Sequence, residues 1–282
     1  MKAINYVALT TGLALVACLS SVPGPPAADD VRATFESVRA TLVSETVNAP
    51  TEAPPADLPE EAILILTPGS GSRLVGEVLV EGIADSTFEQ NLVVQVVALR
   101  DAGPEVLAQQ PVTIQTELGQ RGPFAADIVF DFEGEVEQPG EVRVFSSSPR
   151  DGGLTHLATA QVSLAASGLP EIRAADPHDE LIAITSPSAG DTIRGGMVRV
   201  EGIALASFEQ TLLVEVYDAD GHLATRAHVT VAAPDYGNWG PFYTDVPYTV
   251  GAAGPGRIVV IDPSPAFGQS LHLASVGVRL EP

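Results

Sequence analysis

The sequence predicts an all-β chain: two tandem immunoglobulin-like β-sandwiches of about seven strands each, preceded by an export signal and a Pro-rich stalk. Three observations carry this. The first is a duplication. Val80-Glu81-Gly82-Ile83-Ala84, then three residues and Phe88-Glu89-Gln90, returns as Val200-Glu201-Gly202-Ile203-Ala204, three residues and Phe208-Glu209-Gln210. Pro68, Gly122-Pro123-Phe124, Ser148-Pro149 and His156-Leu157-Ala158 recur as Pro187, Gly240-Pro241-Phe242, Ser264-Pro265 and His272-Leu273-Ala274. A repeat unit of this size is a domain rather than a solenoid turn. The second observation is composition: few aromatics, with Val, Thr and Gly plentiful, favours strands. The third is period-two alternation bounded by Gly, Pro, Asp and Ser clusters.

Taken in order, 1–17 reads as a lipoprotein signal peptide. Lys2 precedes an apolar run too short to span a bilayer comfortably, and the run ends in Leu15-Val16-Ala17-Cys18. That tetrad resembles a bacterial lipobox, which implies cleavage before Cys18 and a diacylglyceryl group on its thiol. Cys18 is the chain's single cysteine, so no disulfide forms within one chain and no thiolate-rich metal site exists. Residues 18–61 form an acidic, Pro-rich linker. Val31, Phe35, Val38 and Leu42 keep helical spacing inside it, too briefly for a self-associating seam.

The first domain is expected over 62–165, with strands near 63–67, 74–82, 91–99, 106–115, 124–132, 141–147 and 156–164. A linker over 166–180 leads to the second domain, 181–282, with strands near 181–186, 193–202, 211–217, 223–232, 242–250, 257–262 and 271–280. The fifth strand is the clearest. Phe124, Ala126, Ile128, Phe130 and Phe132 alternate with polar or small residues, and Phe242, Thr244, Val246, Tyr248 and Val250 keep the parity. Pro247 lies on the wet side and cannot donate to a ladder, which predicts an edge or a bulge. The sixth strand, with Ile258, Val259, Val260 and Ile261 apolar on both parities, predicts a central position.

The chain carries 36 acidic against 14 basic side chains, a formal charge of −22. Such a surface repels phosphate backbones, which excludes nucleic acid as a general partner. No nucleophile elbow, P-loop or dinucleotide fingerprint occurs, so no catalytic residue and no cofactor is assigned. Asp218-Ala219-Asp220-Gly221 reads as a hairpin turn rather than a calcium loop, which would need further acids. No metal ligand set is assigned. His156 and His272 open the last strand of each copy, one per domain and without a ligand partner in sequence. Gly82, Phe88, Glu89 and Phe124, with Gly202, Phe208, Glu209 and Phe242, are assigned structural roles. Glu89 and Glu209 are expected to accept backbone N–H groups in their loops. Tyr236, Trp239 and Tyr243 concentrate aromatics in the second copy and are the candidate partner contacts.

Pro near the start, V-x-G-x-A, F-E-x-x-L-x-V-x-V, D-x-D-G, G-P-F and a late S-P together resemble the immunoglobulin-like domain of bacterial spore germination, the second type associated with the germination protein GerM. The second copy carries the pattern in Phe208-Glu209, Leu212, Val214, Val216, Asp218, Asp220-Gly221 and Trp239-Gly240-Pro241-Phe242. The first copy departs at Asp101-Ala102-Gly103 and at Arg121, which stands where its partner has Trp239. The resemblance implies an extracytoplasmic module. With the lipobox, it leads to an expected function: non-catalytic binding or scaffolding on the outer face of the membrane, with an envelope protein or glycan as partner. The alternative is a solute-binding lipoprotein that hands a small ligand to a transporter.

Overall fold

A computed structural model describes residues 58–134 and 137–282. The export signal, Cys18 and the helically spaced stretch over 29–47 lie outside the described residues. The rest is β-structure, with one short 3₁₀ turn at Phe88–Gln90.

In the first copy, β1 (Ile63–Thr67), β3 (Glu77–Ala84) and β6 (Gly122–Val129) form one sheet in the order β1-β3-β6. The opposing sheet holds β5 (Gly103–Thr113), β4 (Asn91–Arg100), β7 (Gln138–Ser147) and β8 (Leu154–Leu164). The short β2 (Arg73–Leu74) runs parallel to the end of β8. The second copy repeats this plan. Its sheets are β9 (Ile182–Ser186), β11 (Met197–Leu205) and β14 (Trp239–Pro247) against β13 (Leu223–Thr230), β12 (Thr211–Tyr217), β15 (Gly254–Pro263) and β16 (Ser270–Leu280). Here β10 (Thr192–Ile193) lies parallel to the end of β16.

Each copy therefore has eight strands where seven are predicted. The predicted strands at 74–82 and 193–202 are each split in two. Gly76 (φ 70°), Gly195 (φ 80°) and Gly196 (φ 68°) take left-handed backbone at the split, and the chain crosses there from one sheet to the other.

Each sandwich seals its own core. Val80, Val94, Val96, Phe124, Ile128, Val142, Val144 and Leu164 pack in the first, and Val200, Leu212, Val214, Val216, Phe242, Val246, Ile258 and Val260 in the second. Phe124, Ala126 and Ile128 point inward while Ala125, Asp127 and Val129 face water, as the alternation predicts. Strand β14 is an edge strand with Pro247 exposed at its end, and β15 is central. Gly82 and Gly202 are explained by contact: a Cβ on Gly82 would sit 2.4 Å from the Phe124 ring, and one on Gly202 2.4 Å from the Phe242 ring.

The two sandwiches share more than a linker. Strands β8 and β16 pair antiparallel, with Leu157 opposite Leu273 and His156 opposite Ala274. Leu157 thus faces its own repeat equivalent, so a pseudo-twofold axis passes between the copies. The pairing fuses both larger sheets into one of ten strands. Leu157, Val259, Ile261 and Leu273 bury against one another on the seam, with Phe145, Leu154, Leu213 and Tyr217 around them. The segment joining the copies is docked as well. Arg73 and Glu171 exchange backbone hydrogen bonds, and the Gly69 and Ala175 amides donate to the Arg173 and Leu66 carbonyls.

Candidate functional site

Repeat symmetry builds the site. Each copy supplies a glutamate just before its first strand (Glu61, Glu180) and a histidine at the start of its last (His156, His272). Alone, each copy has one acid and one imidazole. The pseudo-twofold brings all four together beside the β8–β16 pairing, where each is at most 8% exposed. The sequence leaves each histidine without a partner, and the fold corrects that.

His156 Nε2 lies 2.7 Å from Glu61 Oε1, and His272 Nε2 lies 2.8 Å from Glu180 Oε1. The cross-distances, His156 Nε2 to Glu180 Oε2 and His272 Nε2 to Glu61 Oε2, are both 3.8 Å. The imidazoles meet edge to face with centroids 5.1 Å apart. Each remaining carboxylate oxygen is oriented by the opposite copy. The Ala62 amide donates to Glu180 Oε2 at 3.1 Å, and the Leu181 amide donates to Glu61 Oε2 at 3.3 Å. His178, partly exposed, places Nδ1 3.9 Å from Glu61 Oε2.

Burial alone would push the Glu61 carboxyl up and the His272 imidazole down. The facing charges outweigh it. His272 and His156 hold Glu61 below the usual carboxylate range, and Glu61 and Glu180 hold His272 above the usual imidazole range. Asp262, opposite His272 on β15, is pushed up by its burial, and its Oδ1 has no hydrogen-bond partner among the described residues.

Two further contacts cross the seam at equivalent places. Arg257 Nη1 donates to Asp151 Oδ1 at 2.9 Å and to Oδ2 at 3.1 Å. Its repeat counterpart, the fully buried Glu141, accepts from Gln269 of the second copy at 2.6 Å. A cleft of about 600 Å³ also opens between the copies. Its walls include Leu64, Ile83, Leu205 and Trp239, with Arg121 and His178 among its polar lining. Trp239 and Arg121, equivalent in the repeat, thus face one space.

The model matched by this chain is that of the immunoglobulin-like domain of bacterial spore germination, over residues 62–153 and again over 181–269. The chain belongs to this family. No curated protein matches it. Among solved structures, latent PorU from Porphyromonas gingivalis is similar at 13% identity and a TM-score of 0.23, covering 89% of this chain and 27% of that one. Red sea bream transglutaminase matches at 7% identity and a TM-score of 0.28, covering 78% and 31%. The CBD12 portion of CALX1.2 matches at 11% identity and a TM-score of 0.19, covering 77% and 100%. The chain thus spans about a third or less of the first two.

The repeated residues on which the resemblance rests fall into two groups. Gly82, Gly202, Phe124 and Phe242 are core. Phe88 and Phe208 are exposed, at 59% and 76%. Glu89 takes left-handed backbone (φ 54°), and neither its carboxylate nor that of Glu209 accepts a backbone N–H among the described residues. The expected loop role passes to the neighbouring Gln90, which is buried and donates through Nε2 to the Glu117 and Gln120 carbonyls at 2.9 and 3.1 Å. Asp218 makes the β12–β13 turn, accepting from the Asp220 and His222 amides at 3.0 and 2.9 Å. Tyr236 and Tyr243 are exposed, at 63% and 67%. The Tyr236 ring packs edge-on against Phe208, and the Tyr243 ring lies under the Arg199 guanidinium. Trp239 shares the outer parity of β14 with Tyr243 but sits half-buried in the cleft wall.

The repeat contains a signal for the missed site. Glu61 and Glu180 align at the spacing that relates Pro68 to Pro187, so two titratable residue types recur in register. The docking that joins them leaves no trace in the spacing.

Proposed function

We propose that the protein is a non-catalytic, lipid-anchored envelope protein whose two immunoglobulin-like domains act as a single binding or scaffolding head. The observation that carries this is the seam. A shared ladder, a buried apolar layer and paired charges across the pseudo-twofold suit a fixed platform more than a hinged trap. Membership of the germination-domain family supports a binding module, and Cys18 at the lipobox position supports the anchor. Two or more acyl chains, at about 0.8 kcal/mol per buried methylene, hold such a head at the membrane stably. Phe208, Tyr236, Trp239 and Tyr243 offer aromatic surface to an envelope protein or glycan.

Cys18→Ala is expected to move the protein from the membrane fraction to the soluble fraction; full membrane retention would sink the anchor. An envelope ligand captured by the wild-type chain is expected to be lost by Tyr236→Ser/Tyr243→Ser at unchanged melting temperature. Equal capture would place the contact elsewhere. The cleft beside Trp239 favours a second reading, capture of a small ligand for a transporter. That reading expects a small ligand to change Trp239 fluorescence as strongly in Tyr236→Ser/Tyr243→Ser as in wild type, which the platform reading does not.

A further inference from the structure

We propose that Glu61, His156, Glu180 and His272 bind one divalent transition-metal ion, zinc by the character of its donors, as a clasp between the two sandwiches. This goes beyond the platform reading and stands whether or not the anchor does.

The argument begins with charge. Two carboxylates are buried together, and among the described residues no arginine or lysine reaches either within ion-pair distance. With neutral imidazoles the pocket holds two negative charges and requires two positive ones. Two protons, one on each imidazole, would supply them but would place two cationic rings 5.1 Å apart in a buried site, and the third imidazole, His178, stands at the exposed rim, 3.9 Å from Glu61 Oε2. One divalent ion supplies the same charge at a single point and turns both rings into ligands.

Donor chemistry and orientation agree. One donor atom from each side chain lies within 4.8 Å of all the others. Both imidazoles present Nε2, and each carboxylate gives one oxygen to a nitrogen while its other oxygen is held by a backbone amide of the opposite copy. Oriented donors of this kind are what a metal ligand needs. Around zinc, with bonds of about 2.0–2.1 Å, a tetrahedral edge is roughly 3.3 Å, between the short contacts and the outer limit of this cluster. Two nitrogens and two oxygens in a closed, four-donor set suit a structural zinc ion better than calcium or magnesium, which take more oxygens. A second group, Asp218, Asp220 and His222, is exposed, and its first acid already caps a turn.

The test uses the full chain purified in detergent, stripped with chelator and returned to zinc chloride with excess magnesium to saturate the acidic surface. Elemental analysis after gel filtration is expected to find about one zinc per chain, with a higher melting temperature than the stripped protein. Cobalt in place of zinc is expected to give the intense visible bands of a tetrahedral ion. Glu61→Gln/Glu180→Gln is expected to weaken zinc binding at least about a hundredfold, while Asp218→Asn leaves it intact. Should the double variant fail to fold, His156→Gln and the wild-type cobalt spectrum decide. Folded wild-type protein that retains less than about a tenth of an equivalent overturns the proposal. So does an octahedral cobalt spectrum, or binding lost in Asp218→Asn but kept in Glu61→Gln/Glu180→Gln.

Discussion

Arg257→Met is expected to cost the fold about 2–3 kcal/mol, because it takes a bidentate charged donor from the Asp151 carboxylate in the seam and leaves it the Gly153 amide and the Arg150 guanidinium. The two side chains are 6% and 3% exposed, and the guanidinium reaches both carboxylate oxygens. Gly153 makes the approach possible, since a Cβ there would lie 2.0 Å from Arg257 Nη2. The Tyr217 ring packs 5.2 Å from the same guanidinium. Removing both charges should hurt less than removing one, so Asp151→Leu with Arg257→Met is expected to recover most of the loss. Urea unfolding of the three chains measures this. A loss under about 1 kcal/mol for Arg257→Met would mean that water reaches the pair.

The pair also fixes a pH dependence. Burial pushes the Asp151 carboxyl up, but hydrogen bonds from Arg257, the Gly153 amide, Arg150 and Ser148 outweigh it and hold the group well below the usual carboxylate range. A depressed folded value means that the contribution is fully present above the unfolded pKa of about 3.9. It is lost as pH falls from there through the folded value. Wild-type protein is therefore expected to lose stability between about pH 4 and pH 2 more steeply than Asp151→Leu/Arg257→Met. Parallel curves would remove Asp151 from the acid response.

Within each sandwich much of the fold is legible in the sequence, because a strand's two faces are written in its period. Phe124 to Phe132 give their parity directly, and Pro247 announces an edge. What the period cannot give is the identity of the surface that a second apolar face meets. Val259 and Ile261 read as evidence for a central strand, which β15 is, yet they are apolar because they close the seam against Leu157 and Leu273. Their counterparts in β7 include Arg143, so the two copies bury this face unequally. Glu61 shows the same limit. As a single acid before a first strand it looks solvated, yet it bonds His156 at the far end of its own copy, and the Leu181 amide of the other copy donates to its second oxygen. Glu89 misleads in the opposite direction: its recurrence suggests a hydrogen-bonding role, while Gln90 beside it holds the loop.

Gly202→Ala is expected to destabilise the second sandwich by at least about 3 kcal/mol, the upper end for overpacking, because two obstacles meet the new methyl group. One is the Phe242 ring at 2.4 Å; the other is the Ala183 carbonyl, also at 2.4 Å. The ring has some freedom to yield. The carbonyl belongs to the β9–β11 ladder, where Gly202 is registered with Ile184, so it moves only if the ladder opens. Adding Phe242→Leu therefore relieves only part of the strain and opens space in the core, and the double variant should remain well below wild type. Trp239, the chain's single tryptophan, lies at the start of the adjacent β14 and follows this unfolding by fluorescence. Gly82→Ala meets the Leu64 carbonyl at 2.2 Å and the Phe124 ring at 2.4 Å, so the first sandwich should respond alike. Neither loss should stay local. When β15 and β16 come away, Leu157 is uncovered and Asp151 loses Arg257, so the first sandwich's unfolding midpoint should fall with the second's. A Gly202→Ala chain within about 0.5 kcal/mol of wild type would show that the ladder accommodates a methyl group, and a first sandwich indifferent to the second would show that the seam contributes little to either.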